Sequence, residues 1–279
     1  MILEHEIPKD SKVYFGEIAK RKRELENISA NLFSENGFTE IVTPTFSYHQ
    51  TSSLPLKNLI QLSDYKNNPM TLRADNTTSL FHITQKRLGR NSSNTKWFYI
   101  QPVFRYPSSE SYQIGAEIID ETDLEKVLNL NLEIFKNFKL ESTLQISNIE
   151  IPRLIANHLN IDISLFKNIE IKKILDLKID WLSELLYLEK AEDISKVKSL
   201  LPDFLIEPME KIENLVKNLE HKNLIISPLY YTKMEYYNSV YFRIFHKNSV
   251  FSRGGSYTLD EINSVGFSIY LDEVLGEEI

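Results

Sequence analysis

The stretch Trp97-Phe-Tyr-Ile-Gln-Pro-Val-Phe-Arg-Tyr106, then Pro107-Ser-Ser-Glu110, then Ser111-Tyr-Gln-Ile-Gly-Ala-Glu-Ile-Ile-Asp120, predicts two strands folded back over a short turn. Aromatic and β-branched residues dominate both runs, as is typical of strands. The proline and serines between them are typical turn residues. This hairpin is the element around which we expect the rest of the sheet to be built.

The two strands of the hairpin carry polar residues at alternate positions. Because side chains alternate between the faces of a strand, Gln101, Val103 and Arg105 share one face of the first strand. One face of the second strand carries Gln113, Gly115 and Glu117. An amide and a carboxylate on either side of a glycine leave room for a small ligand on the sheet. Beside a buried Arg105, this pattern predicts a pocket for a small zwitterionic or anionic ligand; the alternative is an exposed hairpin with a hydrated polar face.

Composition places the chain among globular proteins and excludes several kinds of site. It has 279 residues, 42% of them hydrophobic and 25% charged, which is enough to bury a core. The absence of cysteine excludes disulfides, thiolate zinc sites and cysteine nucleophiles. A net charge of −7 argues against broad binding of nucleic acid, and the basic run 20–23 is better explained as the solvated face of a helix. Residues 1–8 lack an apolar signal-peptide core and no apolar run could span a membrane, so we expect a cytoplasmic protein.

Periodicity and turn signals predict the remaining elements. We expect an amphipathic helix over 11–36 that ends at Asn36-Gly37, and an edge strand over 38–44 closed by proline. Strand edges of this kind often pair with another subunit. Further predicted elements are a short strand at 71–73, a helix capped by Asp75-Asn76 that runs to Gly89, a helical insertion at about 121–223 broken by a strand at 143–147, and strands at 224–226, 233–245 and 250–253. We also expect a turn at 254–257 and a last helix that begins near Gly266.

Strands on both sides of a helical block, joined by hairpins, predict an α+β fold around a mostly antiparallel sheet. No glycine- or serine-rich linker interrupts the chain, so residues 1–279 are expected to form a single domain. Neither common nucleotide-binding glycine motif occurs, and the six histidines are not at metal-ligand spacing, so no cofactor or metal is expected.

Several segments, in order and spacing, resemble the catalytic core of class II aminoacyl-tRNA synthetases, specifically histidyl-tRNA synthetase. Residues 37–44 resemble the first class II motif, which forms the dimer interface in that family. Residues 72–77 (Leu-Arg-Ala-Asp-Asn-Thr) are similar to Leu-Arg-Pro-Glu-Gly-Thr, and residues 104–106 resemble the second motif. Residues 234–238 and 254–257 resemble the two histidine-specific signatures, and residues 265–267 the start of the third motif. The resemblance implies a histidine-like pocket at Asp75, Thr77, Arg105, Gln113, Glu117, Tyr236, Tyr237 and Tyr257.

The departures from the synthetase pattern include positions that contact ATP in that family. Glu273 stands where the third motif has an arginine for the γ-phosphate, and Thr232 stands where the first histidine signature has one. The second-motif loop is cut to residues 107–110, and Ser256 replaces the arginine of Gly-Gly-Arg-Tyr. A carboxylate at 273 would repel phosphate, so aminoacylation is not expected. An anticodon-binding domain is also not expected within this length.

A synthetase core of this length without synthetase catalysis is similar to the regulatory subunits of ATP phosphoribosyltransferase in histidine biosynthesis. That resemblance implies no catalytic residues in this chain, a homodimer within a hetero-oligomer, a short catalytic subunit as the partner, and histidine as a ligand, without tRNA or membrane. Two alternatives stay open at this point: an orphan synthetase paralogue that serves a different partner, and a ligase that adenylates an amino acid.

Overall fold

The computed structural model describes residues 6–48, 54–88, 93–232, 234 and 236–277. The chain divides into two compact units. The first unit contains residues 1–120, 133–139 and 268–279, and the second contains residues 121–132 and 140–267. The expectation of a single domain stays a prediction.

The first unit begins with helix α1 (Gly16–Glu35), which buries Leu25 and Phe33 on one face. Gly37 follows it with φ of +78°, a left-handed conformation that glycine adopts at little cost, so the predicted end of this helix is confirmed. Strand β1 (Thr39–Glu40) then pairs in parallel with β5 (Lys96–Arg105) and is the terminal strand of its sheet. The predicted edge position is therefore confirmed, but the strand is shorter than the predicted 38–44.

A small antiparallel sheet follows in the first unit. It consists of β2 (Phe46–Ser47), β3 (Gln61–Ser63) and β4 (Pro69–Leu72), in the order β2–β4–β3. Strand β4 leads directly to helix α2 (Asn76–Ile83), which continues as a π-helical turn over Thr84–Leu88. The predicted end at Gly89 lies outside the described residues.

The hairpin consists of β5 and β6 (Ser109–Ile119), paired in antiparallel register with Gln101 opposite Gln113 and Tyr99 opposite Gly115. Gln113 and Glu117 are 6% and 1% exposed, so the alternative of a hydrated polar face is wrong. Helix α10 (Leu271–Glu277) packs against β6 and α1.

The second unit holds strands in the order β11–β10–β9–β7–β8. Their bounds are β7 (Thr143–Asn148), β8 (Leu224–Ile226), β9 (Tyr237–His246), β10 (Ser249–Leu259) and β11 (Ile262–Tyr270), whose last three residues belong to the first unit. Strands β7 and β8 are parallel, whereas β9 is antiparallel to both β7 and β10. The mixed, mostly antiparallel sheet with flanking helices confirms the α+β fold class.

Helices fill most of 121–223, as predicted, and β7 is the predicted strand within that block. They are α3 (Glu125–Phe138), whose second half belongs to the first unit, α4 (Glu150–Leu159), α5 (Ser164–Lys167), α6 (Ile171–Asp176), α7 (Asp180–Tyr187), α8 (Ile194–Lys198) and α9 (Ile206–Val216). Pro208 lies in the first turn of α9, where its missing N–H costs nothing.

Two sequence predictions near the C-terminus are wrong. Residues 254–257 do not form a turn but lie within β10. The helix expected from Gly266 begins only at Leu271, because residues 262–270 form β11. Val265, Phe267 and Ile269 are buried at alternate positions, which is the period of a strand.

Candidate functional site

The predicted ligand-binding residues are distributed over both units. Five lie in the first unit: Asp75, Thr77, Arg105, Gln113 and Glu117. The other three, Tyr236, Tyr237 and Tyr257, lie in the second unit.

The first turn of α2 begins with an aspartate cap. Asp75 has an extended backbone, with φ of −148°, and its Oδ1 accepts the N–H of Thr78 at 2.8 Å and the Thr78 hydroxyl at 3.0 Å. Burial raises the pKa of Asp75 above its ordinary value, while the bonds from Thr78 and the charge of Arg105 act in the opposite direction. The predicted cap is confirmed, and it places a buried carboxyl group at the positive end of the helix.

Next to the cap, Asn76 joins α2 to both strands of the hairpin. Its Nδ2 donates to Oε1 of Gln113 at 3.0 Å, and its Oδ1 accepts from Nε2 of Gln101 at 2.9 Å. Gln101 also accepts the N–H of Thr43 at 3.0 Å. Neither Asn76 nor Gln101 was predicted as a site residue. Their signal in the sequence is weak, because an amide in a strand or a first helical turn is common at surfaces.

Thr77 and Glu117 meet directly. The Thr77 hydroxyl donates to Oε1 of Glu117 at 2.7 Å, and both residues are buried. On the same face of the sheet, the Tyr99 hydroxyl lies 2.6 Å from Oγ of Ser268. Burial raises the pKa of Tyr99 well above its ordinary value, so this phenol is neutral and available for hydrogen bonding. The structure thus brings Asp75, Thr77, Gln113 and Glu117 onto one buried polar surface formed by α2, β5 and β6.

The expectation that Arg105 is the buried arginine of this region is wrong. Arg105 is half-buried, and its Nε donates to the carbonyl of Ala74 at 3.3 Å. Among the described residues, the fully buried arginine is Arg73, which is 2% exposed. It donates from Nε and Nη2 to the carbonyl of Pro102 and from Nη1 to that of Thr43. Burial lowers the pKa of Arg73 to about 10. Its partners are some 30 residues away in the sequence, so local pattern could not identify it.

The three tyrosines of the second unit form an aromatic cluster. The ring of Tyr236 lies 4.7 Å from that of Tyr237 and 5.7 Å from that of Tyr257, measured between centroids. Tyr237 and Tyr257 are buried, together with Tyr241. A Cβ at Gly255 would lie 2.7 Å from the carbonyl oxygen of Val240 and 3.0 Å from Cδ1 of Tyr237, so only glycine allows this close packing.

Two of the positions that depart from the synthetase pattern lie in different surroundings. Thr232 is 4% exposed, and its hydroxyl oxygen accepts the N–H of Met234 at 3.4 Å. Glu273 is exposed on α10. Its neighbour Asp272 is buried and accepts hydrogen bonds from the hydroxyl of Tyr14 at 2.6 Å and the N–H of Tyr112 at 3.0 Å. Residues 233 and 235 lie outside the described part of the chain.

Within the described residues, no group of three or more histidine, aspartate or glutamate side chains could hold a metal ion. In that same part of the chain, none of the helices combines the length and the apolar character needed to cross a bilayer.

Similarity to known proteins shows the family of the chain. The family model for histidyl-tRNA synthetase matches residues 15–274. The ATP phosphoribosyltransferase regulatory subunit of Wolinella succinogenes is 42% identical over 279 residues, which cover 99% of this chain and 96% of that protein. The chain belongs to the family of ATP phosphoribosyltransferase regulatory subunits. This regulatory-subunit family and the histidyl-tRNA synthetases share the core on which the polar surface lies.

Solved structures agree on the fold of the regulatory-subunit family. A regulatory subunit/histidyl-tRNA synthetase from Bacillus halodurans has a TM-score of 0.86 and 19% identity, covering 99% of this chain and 84% of that one. A chain from the ATP phosphoribosyl transferase (HisG:HisZ) complex of Thermotoga maritima has a TM-score of 0.68 and 20% identity, covering 90% of this chain and 97% of that one. The class II synthetase-like fold predicted from the sequence is confirmed.

Proposed function

We propose that this chain binds the short catalytic subunit of ATP phosphoribosyltransferase and regulates it in the first committed step of histidine biosynthesis. The observation that carries the proposal is the 42% identity to a regulatory subunit over almost the full length of both chains. The fold shared with a chain of the T. maritima complex is consistent with it. A cytoplasmic location, where we expect the partner enzyme, is part of the proposal.

The proposed assembly is a homodimer within a hetero-oligomer. Edge strand β1 and the segment after it support this part of the proposal, because Val42 and Phe46 expose 77% and 57% of their surface. Apolar side chains beside an open strand edge are typical of surfaces that another subunit covers.

Reconstitution tests the proposed partner. The chain is mixed with the short catalytic subunit from the same genome, and both co-elution in size-exclusion chromatography and phosphoribosyltransferase activity are measured. We expect one hetero-oligomeric peak and higher activity than the catalytic subunit has alone. Separate elution with unchanged activity would overturn the proposal and favour a synthetase paralogue that serves another protein.

We also propose that synthetase chemistry is lost. Glu273 presents an exposed carboxylate where the synthetase family has a phosphate-binding arginine, and Thr232 is a buried hydroxyl in place of a second arginine. Neither side chain carries the positive charge with which an arginine stabilises the negative charge that develops when an amino acid attacks ATP. Amino-acid-dependent exchange of pyrophosphate into ATP should stay at background, and exchange above background would contradict this part of the proposal.

Histidine is the proposed ligand of the polar surface. Gln113 and Glu117 are buried and bonded to Asn76 and Thr77, so their oxygen atoms have fixed positions. Buried, oriented acceptors suit an ammonium group or an imidazole N–H. In titration calorimetry we expect histidine to bind, and Glu117→Gln to weaken binding by about tenfold or more through the lost charge.

Glu117→Gln keeps an oxygen that accepts from Thr77, so it should fold. Glu40→Gln, at an exposed carboxylate of β1, is the matched control and should bind as the wild type does. Absence of heat with the wild type, or equal affinity in Glu117→Gln, would refute the assignment of this ligand.

A further inference from the structure

A cavity of about 850 Å³ lies wholly within the second unit. It is lined by the segment that leads into α3, by helices α4 and α9, and by strands β9 to β11. Binding sites for small organic molecules typically have volumes of about 300–1,000 Å³. The cavity is therefore large enough for a metabolite.

The cavity borders the tyrosine cluster, because Tyr257 is one of its lining residues. The ring of Tyr257 packs against that of Tyr237, and Ser256, one residue before it in β10, also lines the cavity. Asn131 of α3 donates to Oγ of Ser252 at 2.7 Å, so α3 packs against β10. Of the residues predicted for the histidine-like pocket, only Tyr257 borders this cavity among the described residues.

Arg153 supplies an oriented positive charge at the cavity. Its Nε donates to the hydroxyl of Tyr231 at 3.0 Å, and its Nη2 donates to the carbonyl of Tyr237 at 3.1 Å. Both acceptors are neutral, and no carboxylate of the described residues lies within ion-pair distance of Arg153. By contrast, Lys211, the other basic residue of the cavity, is paired with Glu150 at 3.0 Å. A guanidinium that is held in place but not neutralised is suited to bind a carboxylate or phosphate.

Carboxylates lie at the part of the cavity formed by the start of α3. Glu125 has no ion-pair partner among the described residues, and Asp123 lies 3.8 Å from the exposed Lys126. The hydroxyl of Ser264, a lining residue that is 1% exposed, has no hydrogen-bond partner within the described part of the chain. These groups suit a ligand that carries an amine or a ring N–H as well as an anionic group.

The balance of charge limits the number of negative charges on the ligand. The lining has four acidic residues (Glu121, Asp123, Glu125, Glu150) and two basic residues (Arg153, Lys211). A lining with net negative charge repels polyphosphates, whereas a single anionic group can be neutralised by Arg153. We propose that this cavity binds a small dipolar metabolite, of the amino-acid or nucleoside-monophosphate class, with its anionic group on Arg153 and its N–H donors on the carboxylates near α3. This inference does not depend on the proposed partner.

Titration calorimetry on the full chain tests the site with defined probes. The probes are the proteinogenic L-amino acids, adenosine monophosphate, inorganic phosphate and ATP. We expect an amino acid or the monophosphate to bind, and Arg153→Gln to weaken that binding by about tenfold or more. Arg243→Gln is the matched control, because Arg243 is another half-buried arginine of this unit, bonded to Gln145 and stacked on Tyr230 outside the cavity.

A second variant fills the cavity without touching Arg153. Ser256→Arg introduces the residue that the synthetase signature has at this position, and it should abolish binding while the thermal unfolding temperature stays close to that of the wild type. Should Arg153→Gln fail to fold, Glu125→Gln tests the contact with the ligand's N–H donors instead. We expect this variant to weaken binding.

The outcomes distinguish the two ligand classes from each other, and they distinguish both from failure of the proposal. Binding of an amino acid that is lost in both cavity variants identifies the first class, and the same result with adenosine monophosphate identifies the second. Absence of binding by every probe, binding of ATP or inorganic phosphate as tight as that of the monophosphate, or affinities that neither Arg153→Gln nor Ser256→Arg changes would each overturn the proposal.

Discussion

The hydroxyl of Thr77 donates a hydrogen bond of 2.7 Å to Oε1 of Glu117, and this bond joins the first turn of α2 to the C-terminal part of β6. Thr77 is 6% exposed and Glu117 is 1% exposed. A buried carboxyl group is costly unless donors satisfy its oxygens. The bond therefore both stabilises the first unit and fixes the position of Glu117.

Replacement of Thr77 by valine removes this donor while keeping the side chain's shape. We expect Thr77→Val to lower the free energy of unfolding by about 1.5–3 kcal/mol, the range for hydrogen bonds to charged groups, measured by denaturant unfolding. Thr77→Ser keeps the hydroxyl and should recover most of the loss. Equal stability of the valine and serine variants would show that the bond contributes little.

The helix cap at Asp75 can be tested with two substitutions that should differ in their effect on stability. Asp75→Ala should cost about 1 kcal/mol, because the N–H of Thr78 loses its acceptor. Asn is as good a cap as Asp, so Asp75→Asn should remain close to the wild type in thermal unfolding. If Asp75→Asn destabilises the protein as much as Asp75→Ala, capping is not what the carboxyl group contributes.

Glu121 makes stability depend on pH. Its hydrogen bond with Lys126 at 2.5 Å, aided by backbone N–H groups of Asp123 and Thr122, lowers the pKa of Glu121 to about 2 from 4.5. Because the folded state releases this proton more readily than the unfolded chain does, the stabilisation is present above about pH 4.5 and is lost as pH falls towards 2. In denaturant unfolding at several pH values, Glu121→Gln should lose less stability over this range than the wild type. If the free energy of unfolding varies with pH in the same way in both proteins, Glu121 is not the source of this pH dependence.

Gly255 allows the tyrosine cluster to pack closely. We expect Gly255→Ala to lower the free energy of unfolding by about 1–3 kcal/mol, because the new methyl group would overlap the carbonyl oxygen of Val240. A Cβ at Gly276, in α10, would meet no described atom within 4 Å, so Gly276→Ala is the control and should be neutral or stabilising. Near-ultraviolet circular dichroism should change for the first variant alone; equal stability of both would refute the packing argument.

The sequence predicted elements whose signals are local. The hairpin of β5 and β6 was predicted from alternation and turn residues, the end of α1 from Gly37, and the start of α2 from Asp75. Each of these signals acts over a few residues, so tertiary packing did not override it. Glu117 and Gln113 were proposed as ligand-binding residues from the same alternation together with the family resemblance, and the structure shows that both are buried.

Other features depend on distant contacts. Gly254 and Gly255 suggested a turn, but they lie in strand β10. Glycine is needed there for close packing, because a Cβ at Gly254 would be 2.4 Å from Cζ of Phe242 and 2.6 Å from the carbonyl oxygen of Gly266. The helix expected from Gly266 was wrong because the apolar residues there recur at every second position, which is the period of a strand and not of a helix. The links that Asn76 and Gln101 make across α2 and the hairpin carried no sequence signal of their own.

Arg73 affects how a ligand would bind to the polar surface of the first unit. Its three hydrogen bonds to the carbonyls of Pro102 and Thr43 fasten the end of β4 to the hairpin strand β5. Asp75 and Thr77 follow two and four residues later, so this anchor fixes them before any ligand arrives. The polar surface of the first unit is therefore preorganised: the proposed ligand would bind there with little ordering of the chain, and its affinity would depend mainly on how well its charges match a rigid set of acceptors.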